Sequence, residues 1–507
     1  MTTRHPRRTS RALWVALAAI LVAAVAAPTP AQAQATADHE VTFSKHIAPI
    51  LQRSCQNCHR PDALAPMSLI TYDDVRPWAR AIKNRTGLRD KPGVMPPWFI
   101  EKDIGIQRFK DDPSLSDEEI RLIAAWADNG APQGNPADLP PPIDFRAADE
   151  WEIGEPDLIV SSPSFEVKGT APDWWGPIGS TPSGLTEDRY VAALEYKEVT
   201  ESFTGERRDT VGGNFVVHHA AMTPIVPGMF GGQGGRAAAA GGGAATGGQG
   251  RRAAAAAADG ERPRYEFDLW PVHEVGRNAD TFHPRAGRLL QANTELMFAQ
   301  MHLHANGADT RARLDVAFKF HPRGYEPTLK NRLMPFGTIS DLDFEAMDSN
   351  QVMEAFYTLQ DNMRMSIFEP HMHAPGVRMC LDAIQGAKIE TLNCAGYDHG
   401  WVRVYTYEDD AAPLLPKGTI LRITGYFNNS PSNPNVPDPR NWSGGGQRSV
   451  DQMFLNLMRG IELTDEEFAA EMAERRQALG LAPGEAVIGC PLCGAAYEPA
   501  DDAGDQQ

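Results

Sequence analysis

Residues 314–320 have the sequence LDVAFKF, in which large apolar side chains occupy every second position. This alternation is typical of a β-strand with one face in a core, because successive side chains of a strand point to opposite faces. Two further runs, 401–407 and 420–427, are rich in β-branched and aromatic residues and follow Gly or Pro. These segments predict antiparallel β-sandwich structure for the larger part of the chain.

The chain before residue 136 has helical periodicity instead. Ser116 and Glu119 form a capping box before a run whose apolar residues recur every three or four positions, and Asn129 is a suitable end for that helix. Ser44 is a candidate cap for an earlier helix. We therefore expect a multidomain chain, in which a small all-α domain is followed by antiparallel β-sandwich structure.

The composition fits a globular protein of several domains. The 507 residues correspond to about three domains. A hydrophobic content of 42% argues against wholesale disorder. The net charge of −18 disfavours nucleic acid and anionic membrane surfaces as partners. The expected organisation is a signal peptide at 1–33, the α domain at 40–136, a β-rich part from about residue 150 that contains a Gly/Ala-rich insertion at 231–258, and a helix with an acidic tail at 463–507.

The N-terminus has the features of a secretory signal peptide. Four arginines between positions 4 and 11 precede an apolar run over 12–27, and Ala31-Gln32-Ala33 is a suitable cleavage site. The alternative is an uncleaved N-terminal anchor, although the apolar run is short for a bilayer span. We expect a periplasmic or secreted protein with no integral membrane span after cleavage, and disulfides can persist in such a compartment.

The segment 55–59 contains the motif C-x-x-C-H, which is typical of covalent haem attachment. In that chemistry Cys55 and Cys58 form thioethers with the two haem vinyl groups, and His59 becomes the proximal iron ligand. Met95 is the preferred second axial ligand and Met67 is the alternative. Met67 is less suitable because it lies only eight residues beyond His59, which is a short distance for reaching the opposite face of the haem. A redox-active dithiol and half of a zinc site are the alternative interpretations. The segment resembles class I cytochrome c domains, which implies one covalent haem c.

Three groups of histidines mark the β-rich part of the chain. Imidazole is a common ligand of copper and zinc. Residues two apart in a strand share a face, whereas neighbours share a face only where the strand is twisted or ends. The three groups are His218-His219, His302 with His304, and His371 with His373.

These histidine segments resemble the type II copper, ascorbate-dependent monooxygenases. The stretches that carry the resemblance are Val217-His218-His219-Ala220, Gln300-Met301-His302, Pro370-His371-Met372-His373 and Asp451-Gln452-Met453. The family has two mononuclear copper sites, one in each of two tandem β-sandwich domains. The resemblance therefore implies two tandem antiparallel β-sandwich domains of jelly-roll-like form in this chain, a first copper-binding domain at 150–330 and a second at 340–462. The resemblance implies a first copper bound by His218, His219 and His302. It implies a second, catalytic copper bound by His371, His373 and Met453, whose soft thioether favours Cu(I).

Several assignments beside this ligand set stay open. His304 is expected to support or border the first site, and Met458 is the substitute for Met453 if that residue packs in a core. The haem segment, the Gly/Ala-rich insertion and the small number of cysteines are departures from the animal enzymes of the family. The first of these departures puts ascorbate as the electron donor in doubt.

The remaining cysteines predict disulfides. Cys380 and Cys394 flank Gln385-Gly386-Ala387, a suitable hairpin turn, so a cross-strand disulfide is expected. Cys490 and Cys493 form a second C-x-x-C without a histidine, and a local disulfide is favoured over a thiol switch or a metal site. His399 and four other histidines show no partner pattern and are expected to be structural or solvated.

Together these features predict an exported copper-dependent monooxygenase. Electrons from an external donor, either a small reductant or a redox protein, would pass through the haem to copper, and dioxygen would hydroxylate a C–H bond of an organic substrate. The first alternative is a non-catalytic haem- and copper-containing electron-transfer or copper-binding protein. The second is a chain whose β domains only bind a partner, with the haem as its one functional group.

Overall fold

The computed structural model describes residues 41–61, 63, 65, 67–145, 150–204, 215–225, 270–274, 279–446 and 451–493. The expected signal peptide at 1–33, the Gly/Ala-rich insertion at 231–258 and the acidic end of the chain lie outside these residues. Within the described part, the chain is mostly antiparallel β-sheet with few helices. The prediction of a mainly β chain with a helical N-terminal part is therefore confirmed at this level.

The helices of the N-terminal part are short and are ended by turns. Their bounds are a π-helical turn at Phe43–Ile47, α1 at Ala48–Ser54, α2 at Tyr72–Val75, a 3-10 turn at Arg76–Trp78, α3 at Ala79–Thr86, α4 at Asp117–Asp128 and a 3-10 turn at Pro136–Asp138. Their apolar faces meet in one small core that includes Ile47, Leu51, Val75, Ile123 and Trp126.

The capping prediction is right for α4 and wrong for the first helix. Ser116 Oγ accepts a 3.2 Å hydrogen bond from Glu119 N, and Glu119 Oε2 accepts a 2.8 Å bond from Ser116 N. Ser44 lies inside the first helical turn, which begins at Phe43, and its hydroxyl donates to the Gln133 carbonyl at 2.9 Å. Ser44 therefore joins the turn to the segment that follows α4 instead of capping a helix.

The described residues of the first β region form eleven strands in two sheets. The strands are β1 (Leu158–Ser161), β2 (Phe165–Val167), β3 (Trp174–Gly176), β4 (Gly179–Pro182), β5 (Arg189–Phe203), β6 (Val217–Ile225), β7 (His273–Glu274), β8 (Ala279–Thr281), β9 (Arg288–Leu290), β10 (Glu295–Leu303) and β11 (Thr310–Phe320). One sheet has the order β1-β11-β5-β8, with β2 and β9 attached, and the other has the order β3-β10-β6-β7, with β4 attached.

The two sheets of this region bury a shared core. Leu194 and Val316 from the first sheet and Met222 and Phe298 from the second belong to the same buried cluster. Full burial of side chains of this size contributes about 1.5–3 kcal/mol each. Because β11 is paired on both sides, its alternating residues Leu314 to Phe320 lie in the centre of a sheet, as the sequence pattern predicts.

In the second β region, twelve strands lie within the part of the chain that the structure describes. They are β12 (Lys330–Thr338), β13 (Asp343–Phe344), β14 (Gln351–Thr358), β15 (Asn362–Phe368), β16 (Pro370–Met372), β17 (Gly376–Gln385), β18 (Lys388–Gly396), β19 (Tyr405–Thr406), β20 (Leu414–Leu415), β21 (Ile420–Phe427), β22 (Ser443–Gly444) and β23 (Phe454–Leu463). The sheet β12-β23-β15-β19, with β16 and β20 attached, faces the sheet β14-β21-β17-β18 across a common core, and β13 pairs with β22.

One of the predicted β runs is mostly not a strand. The segment Ile420–Phe427 is β21, as expected, but in the run 401–407 only Tyr405–Thr406 is paired as a strand. Just before this run, residues 398–401 form a turn in which the Asp398 carbonyl accepts a 2.9 Å hydrogen bond from Trp401 N.

The chain between α3 and α4 packs against the second β region. Trp98, Ile100 and Phe109 are buried in that region's core, and isolated bridges pair Ile100 with Ala395 and Phe109 with Tyr407. Arg378 on β17 forms a two-pronged ion pair with Glu101, in which the Nη2–Oε2 distance is 2.9 Å. The helical part is therefore attached to the second β region by apolar packing, backbone pairing and a charged contact.

The C-terminal segment packs against β20 and β23 of the second β region. Helix α5 (Asp465–Leu479) begins at a capping box formed by Thr464 and Glu467, as predicted, and buries Phe468 and Met472 in a small core. Disulfides join Cys380 to Cys394 across β17 and β18 and Cys490 to Cys493, so both disulfide predictions are confirmed. Among the described residues, no helix has the length and apolar character needed to cross a membrane.

Candidate metal centre

Three of the sequence-predicted histidines meet at the start of β6. One ligand atom each from His218, His219 and His302 lies within 4.8 Å of the others. On β10, His302 pairs with His219 while its neighbour Leu303 pairs with Val217, so His218 is an extra residue in the β6 strand. Such a β-bulge interrupts the strict alternation of side chains, which is how two adjacent histidines can serve one site.

Two residues hold His302 in place: Trp175 on the neighbouring strand β3, and Asp173 directly before that strand. Its Nε2 lies 3.0 Å from Asp173 Oδ2, and the Trp175 ring stacks on the imidazole with centroids 4.6 Å apart. The other ring nitrogen, Nδ1, is buried and has no hydrogen-bond partner among the described residues. A carboxylate on one nitrogen orients an imidazole and raises its basicity toward a metal at the other.

His304 lies at the border of this group. Its ring centroid is 6.0 Å from that of His218, and its backbone N–H donates a 2.9 Å hydrogen bond to the Val216 carbonyl. The structure thus places the ring beside the first group and outside the triad formed by His218, His219 and His302.

The second pair, His371 and His373, is positioned by β16. His371 lies within the strand and His373 directly follows it, and their ring centroids are 5.9 Å apart. His373 Nδ1 lies 3.1 Å from the Asp451 carbonyl oxygen, a contact in which the ring nitrogen donates, so Nε2 is left for a ligand. Both imidazoles are at least nine-tenths buried.

The two candidate methionines have different surroundings. Met453 is half-buried and directly precedes β23, whose residues Phe454 and Leu455 pair with Met372 and His371. The structure therefore brings the backbone at Met453 next to the second histidine pair. Met458 is fully buried in the apolar core of the second β region, where its role is packing.

Glu274 connects the two groups of histidines. This fully buried residue pairs with His219 in the β6–β7 ladder, and its Oε1 lies 3.7 Å from His371 Nδ1. That separation is too long for a hydrogen bond but close enough for the carboxylate to balance positive charge. One acidic side chain of the first β region thus reaches a predicted ligand in the second.

His399, which the sequence gave no reason to select, lies between the two groups. Its ring centroid is 5.8 Å from that of His218 and 5.9 Å from that of His373. The side chain belongs to the turn at 398–401, which leads into the predicted β run 401–407. The predicted first and second sites are therefore neighbouring parts of one histidine cluster, which also includes Asp173 and Glu274 as acidic neighbours.

The imidazoles of the cluster are kept neutral. Burial lowers the pKa of His371 to about 4, with a further contribution from His399, and lowers the pKa of His373 to about 3, with a contribution from His371. Burial and neighbouring histidines also hold the pKa values of His218 and His219 well below the usual range. Neutral imidazole is the form that binds a metal ion, so these residues fit a transition metal that accepts nitrogen ligands.

The C-x-x-C-H segment forms a compact turn after α1. Cys58 N and His59 N donate to the Cys55 carbonyl at 3.1 and 2.9 Å, which brings the two cysteines and the histidine within one helical turn. Both cysteines are free of disulfides. Burial, helped by the nearby Cys58, raises the pKa of Cys55 to about 12, whereas reactive dithiols have lowered thiol pKa values.

The ring of His59 has the orientation expected of a proximal ligand. Its Nδ1 lies 3.2 Å from the Met67 carbonyl oxygen, and this contact leaves Nε2 available on the opposite side of the ring. The Met67 backbone is therefore behind the imidazole, on the side away from a metal bound at Nε2. The arrangement of Cys55, Cys58 and His59 fits a covalently attached haem.

Met95 borders a cavity of about 340 Å³ between the helical part and the segment 96–117. The residues that line this cavity do not include Cys55, Cys58 or His59. Two residues before Met95, Gly93 N donates a 3.0 Å hydrogen bond to Asp398 Oδ2. The candidate axial-ligand segment is therefore fixed to the turn that carries His399.

The residues that sequence reasoning missed are Asp173, Glu274, Asp398 and His399. None of them belongs to a repeated histidine spacing, and only the turn residues Asp398 and Gly400 offered a local signal. Comparison with the models of known protein families and with curated proteins found no match to this chain.

Proposed function

We propose that this chain is an exported haem- and copper-dependent oxidoreductase that hydroxylates a C–H bond of an organic substrate with dioxygen. The observation that carries the proposal is the meeting of His218, His219 and His302 with His371 and His373 in one buried cluster. Copper bound there would supply one-electron transfer between Cu(II) and Cu(I) and the activation of dioxygen.

The residues divide into two ligand groups and their supports. His218, His219 and His302 would hold the first ion, with Asp173 fixing the ring of His302. His371 and His373 would hold the catalytic ion, with the sulfur of Met453 as the third ligand suggested by the family resemblance. The Asp451 carbonyl fixes His373 so that its Nε2 remains a ligand.

The helical part would act as a cytochrome c domain that supplies electrons. Hydroxylation by dioxygen consumes two electrons and two protons: one oxygen atom enters the C–H bond, and the other leaves as water. An external reductant or redox protein must therefore be the electron donor. The contact of Gly93 with Asp398 supports delivery through the haem, because it joins the segment of Met95 to the histidine cluster.

An oxidising compartment agrees with the cysteine pattern. The pairs Cys380–Cys394 and Cys490–Cys493 are disulfides, and such bonds persist outside the cytoplasm. The signal peptide proposed at 1–33 would direct the chain there, so that Cys55 and Cys58 would receive haem after export.

Metal analysis of the exported protein is the first test. The proposal expects one iron and two copper ions per chain, with the absorption spectrum of haem c. Haem without stoichiometric copper, even after copper loading, would leave only the cytochrome function. Zinc in place of copper would contradict both the monooxygenase and the copper electron-transfer alternative.

Oxygen uptake then separates catalysis from electron transfer. Reductant-dependent uptake should be stimulated by an organic substrate in the wild type and abolished in His371→Ala, while the haem spectrum stays intact. His321→Ala is the matched control, because His321 stacks on Tyr325 in the first β region and is not part of the cluster. Unchanged uptake in His371→Ala would show that the site assignment is wrong, and uptake that no substrate stimulates would favour a non-catalytic protein.

A further inference from the structure

His399 lies beside predicted ligands of both histidine groups. Its ring lies 5.8 Å from the His218 ring at an interplanar angle of 30° and 5.9 Å from the His373 ring at 65°. The first group already contains three histidines whose ligand atoms lie within 4.8 Å of one another. The second group has two, His371 and His373, so it lacks the third imidazole that the first group has, and the His399 ring borders it at His373.

The backbone around His399 is fixed on three sides. Asp398 Oδ1 accepts a 3.0 Å hydrogen bond from Gly400 N, while Asp398 Oδ2 accepts one from Gly93 N. The Tyr397 hydroxyl donates to the Met372 carbonyl, between His371 and His373 in sequence. The turn is thus anchored to the β16 segment itself, so that the His399 ring is held beside the second pair before any ligand binds.

A nitrogen of this ring lacks the contact that burial normally requires. His399 Nδ1 is buried and has no hydrogen-bond partner among the described residues, and the same holds for His371 Nδ1 and His218 Nδ1. A buried polar atom without a partner is costly, by about 1–3 kcal/mol. Unpaired ring nitrogens grouped in one cluster are satisfied together when they bind a metal ion.

We propose that His399 is a ligand of the second metal ion, completing a three-imidazole set with His371 and His373. This inference rests on the proposed function, since it assumes that a transition metal binds the cluster. The sulfur of Met453, the ligand that the family resemblance suggests, would then be a fourth ligand beside the three imidazoles. Because His399 also contacts His218, the two ions would occupy one continuous cluster, with adjacent ligand sets in place of two separated cages.

The experiment isolates the second group and measures copper binding directly. In the full-length, haem-containing protein, His218→Ala and His302→Ala together remove the first group, and the copper-free form is titrated with Cu(II) against a competing chelator. Pulsed EPR of the loaded protein counts the imidazoles bound to copper. To this parent variant we add His399→Ala, His399→Gln, Met453→Leu or, as a control, His321→Ala.

The parent should bind one copper with three imidazoles. His399→Ala and His399→Gln should weaken binding at least about tenfold and lose one imidazole from the EPR count, whereas His321→Ala should change neither. Met453→Leu should keep all three imidazoles. The glutamine variant retains much of the side-chain volume, and the haem spectrum verifies folding of each variant.

Two contrary results have different meanings. Unchanged affinity and imidazole count in both His399 variants would overturn the assignment of His399 and leave the proposed function standing. A parent variant and wild type that both fail to bind copper would overturn the proposed function, and the His399 assignment with it.

Discussion

Gly93 N and Asp398 Oδ2 are joined by a 3.0 Å hydrogen bond that connects the helical part of the chain to the turn bearing His399. The two residues are 305 positions apart in sequence, so the contact exists only in the assembled fold. On one side it fixes the segment of Met95, and on the other a turn in contact with both histidine groups. The Asp398 carboxylate thus links the segment of Met95, a proposed haem ligand, to the turn beside the histidine cluster.

Replacement of Asp398 tests this connection. In Asp398→Ala, the loss of the acceptor for Gly93 N and Gly400 N should destabilise the docked segment by about 1–3 kcal/mol and slow electron transfer from haem to copper. Stopped-flow absorbance can follow reoxidation of the reduced haem by the copper-loaded protein without oxygen. Asp410→Ala, which removes a surface ion pair with Arg108, should transfer electrons at the wild-type rate. Equal rates in the two variants would contradict the connection.

The support of His302 by Asp173 gives a second prediction. Asp173→Asn removes the negative charge at His302 Nε2, and such changes near a metal ligand lower affinity by about 10–100-fold. Titration of the first site with Cu(II) and a competing chelator measures the effect. Asp309→Asn, which disturbs a surface ion pair with Lys168, serves as the control in the same β region. An affinity equal to that of the control would rule out a role for Asp173.

The ion pair between Glu101 and Arg378 should stabilise docking of the helical part. Arg378→Met breaks a two-pronged pair whose side chains are only 30% and 18% exposed, so we expect a loss of about 1–3 kcal/mol. Urea denaturation followed by the fluorescence of tryptophans, including the interfacial Trp98, measures it. Arg440→Met breaks a pair with Asp438 on the surface and should cost less than about 1 kcal/mol. Similar midpoints for the two variants would refute the interface assignment.

The two disulfides should differ in their effect on stability. Cys380→Ser with Cys394→Ser opens a crosslink between residues 14 apart on neighbouring strands, which should lower the free energy of unfolding by about 3 kcal/mol. Cys490→Ser with Cys493→Ser opens a crosslink between residues three apart, and the smaller loop predicts a smaller effect. Urea denaturation of the two variants, compared at one pH, provides the measurement. A larger loss from the shorter loop would contradict the prediction.

Glu198 predicts a dependence of stability on pH. Burial raises its pKa from 4.5 to about 7, against the opposing effect of hydrogen bonds from Val216 N and Val217 N. The folded state therefore retains a proton that the unfolded state releases above pH 4.5, so the stabilisation is complete below that pH and is lost as the pH rises to about 7. The loss is at most about 3 kcal/mol, since one pKa unit corresponds to about 1.4 kcal/mol.

The variant Glu198→Gln cannot lose this proton. The melting temperature of the wild type should therefore fall relative to that of Glu198→Gln between pH 4.5 and 7.5, with copper removed by a chelator. A constant difference between the two proteins over this range would show that the carboxyl group does not titrate there.

Local sequence signals were enough to predict the elements that depend on neighbouring residues. The capping boxes at Ser116 and Thr464, the strand at 420–427 and the hairpin between Cys380 and Cys394 all depend on short-range geometry. Ser44 was misassigned because its hydroxyl is used by a carbonyl 89 residues away. The strand predicted at 401–407 is mostly absent because β propensity does not show which backbone groups find a partner strand, and in this run only Tyr405–Thr406 form a strand.

The histidine cluster shows the same division between local and distant information. Histidine spacing and family resemblance selected five imidazoles that the structure brings close together. They could not select His399, Asp173 or Glu274, because none of them belongs to a repeated histidine spacing. Asp173 and Glu274 reach the cluster through the pairing of strands that are distant in sequence, and His399 reaches it through a turn of the second β region. The bulge at His218 was also beyond prediction, since it depends on how β6 pairs with β10.

That bulge has a consequence for how chains with similar sites are recognised. Removing one residue beside His218 would restore regular pairing with β10 and turn one imidazole to the far face of the sheet, although both histidines would remain in the sequence. The one extra residue in β6 is therefore as important for metal binding as the identity of the histidines. Two proteins with the same adjacent histidines could accordingly differ in whether they bind an ion at all.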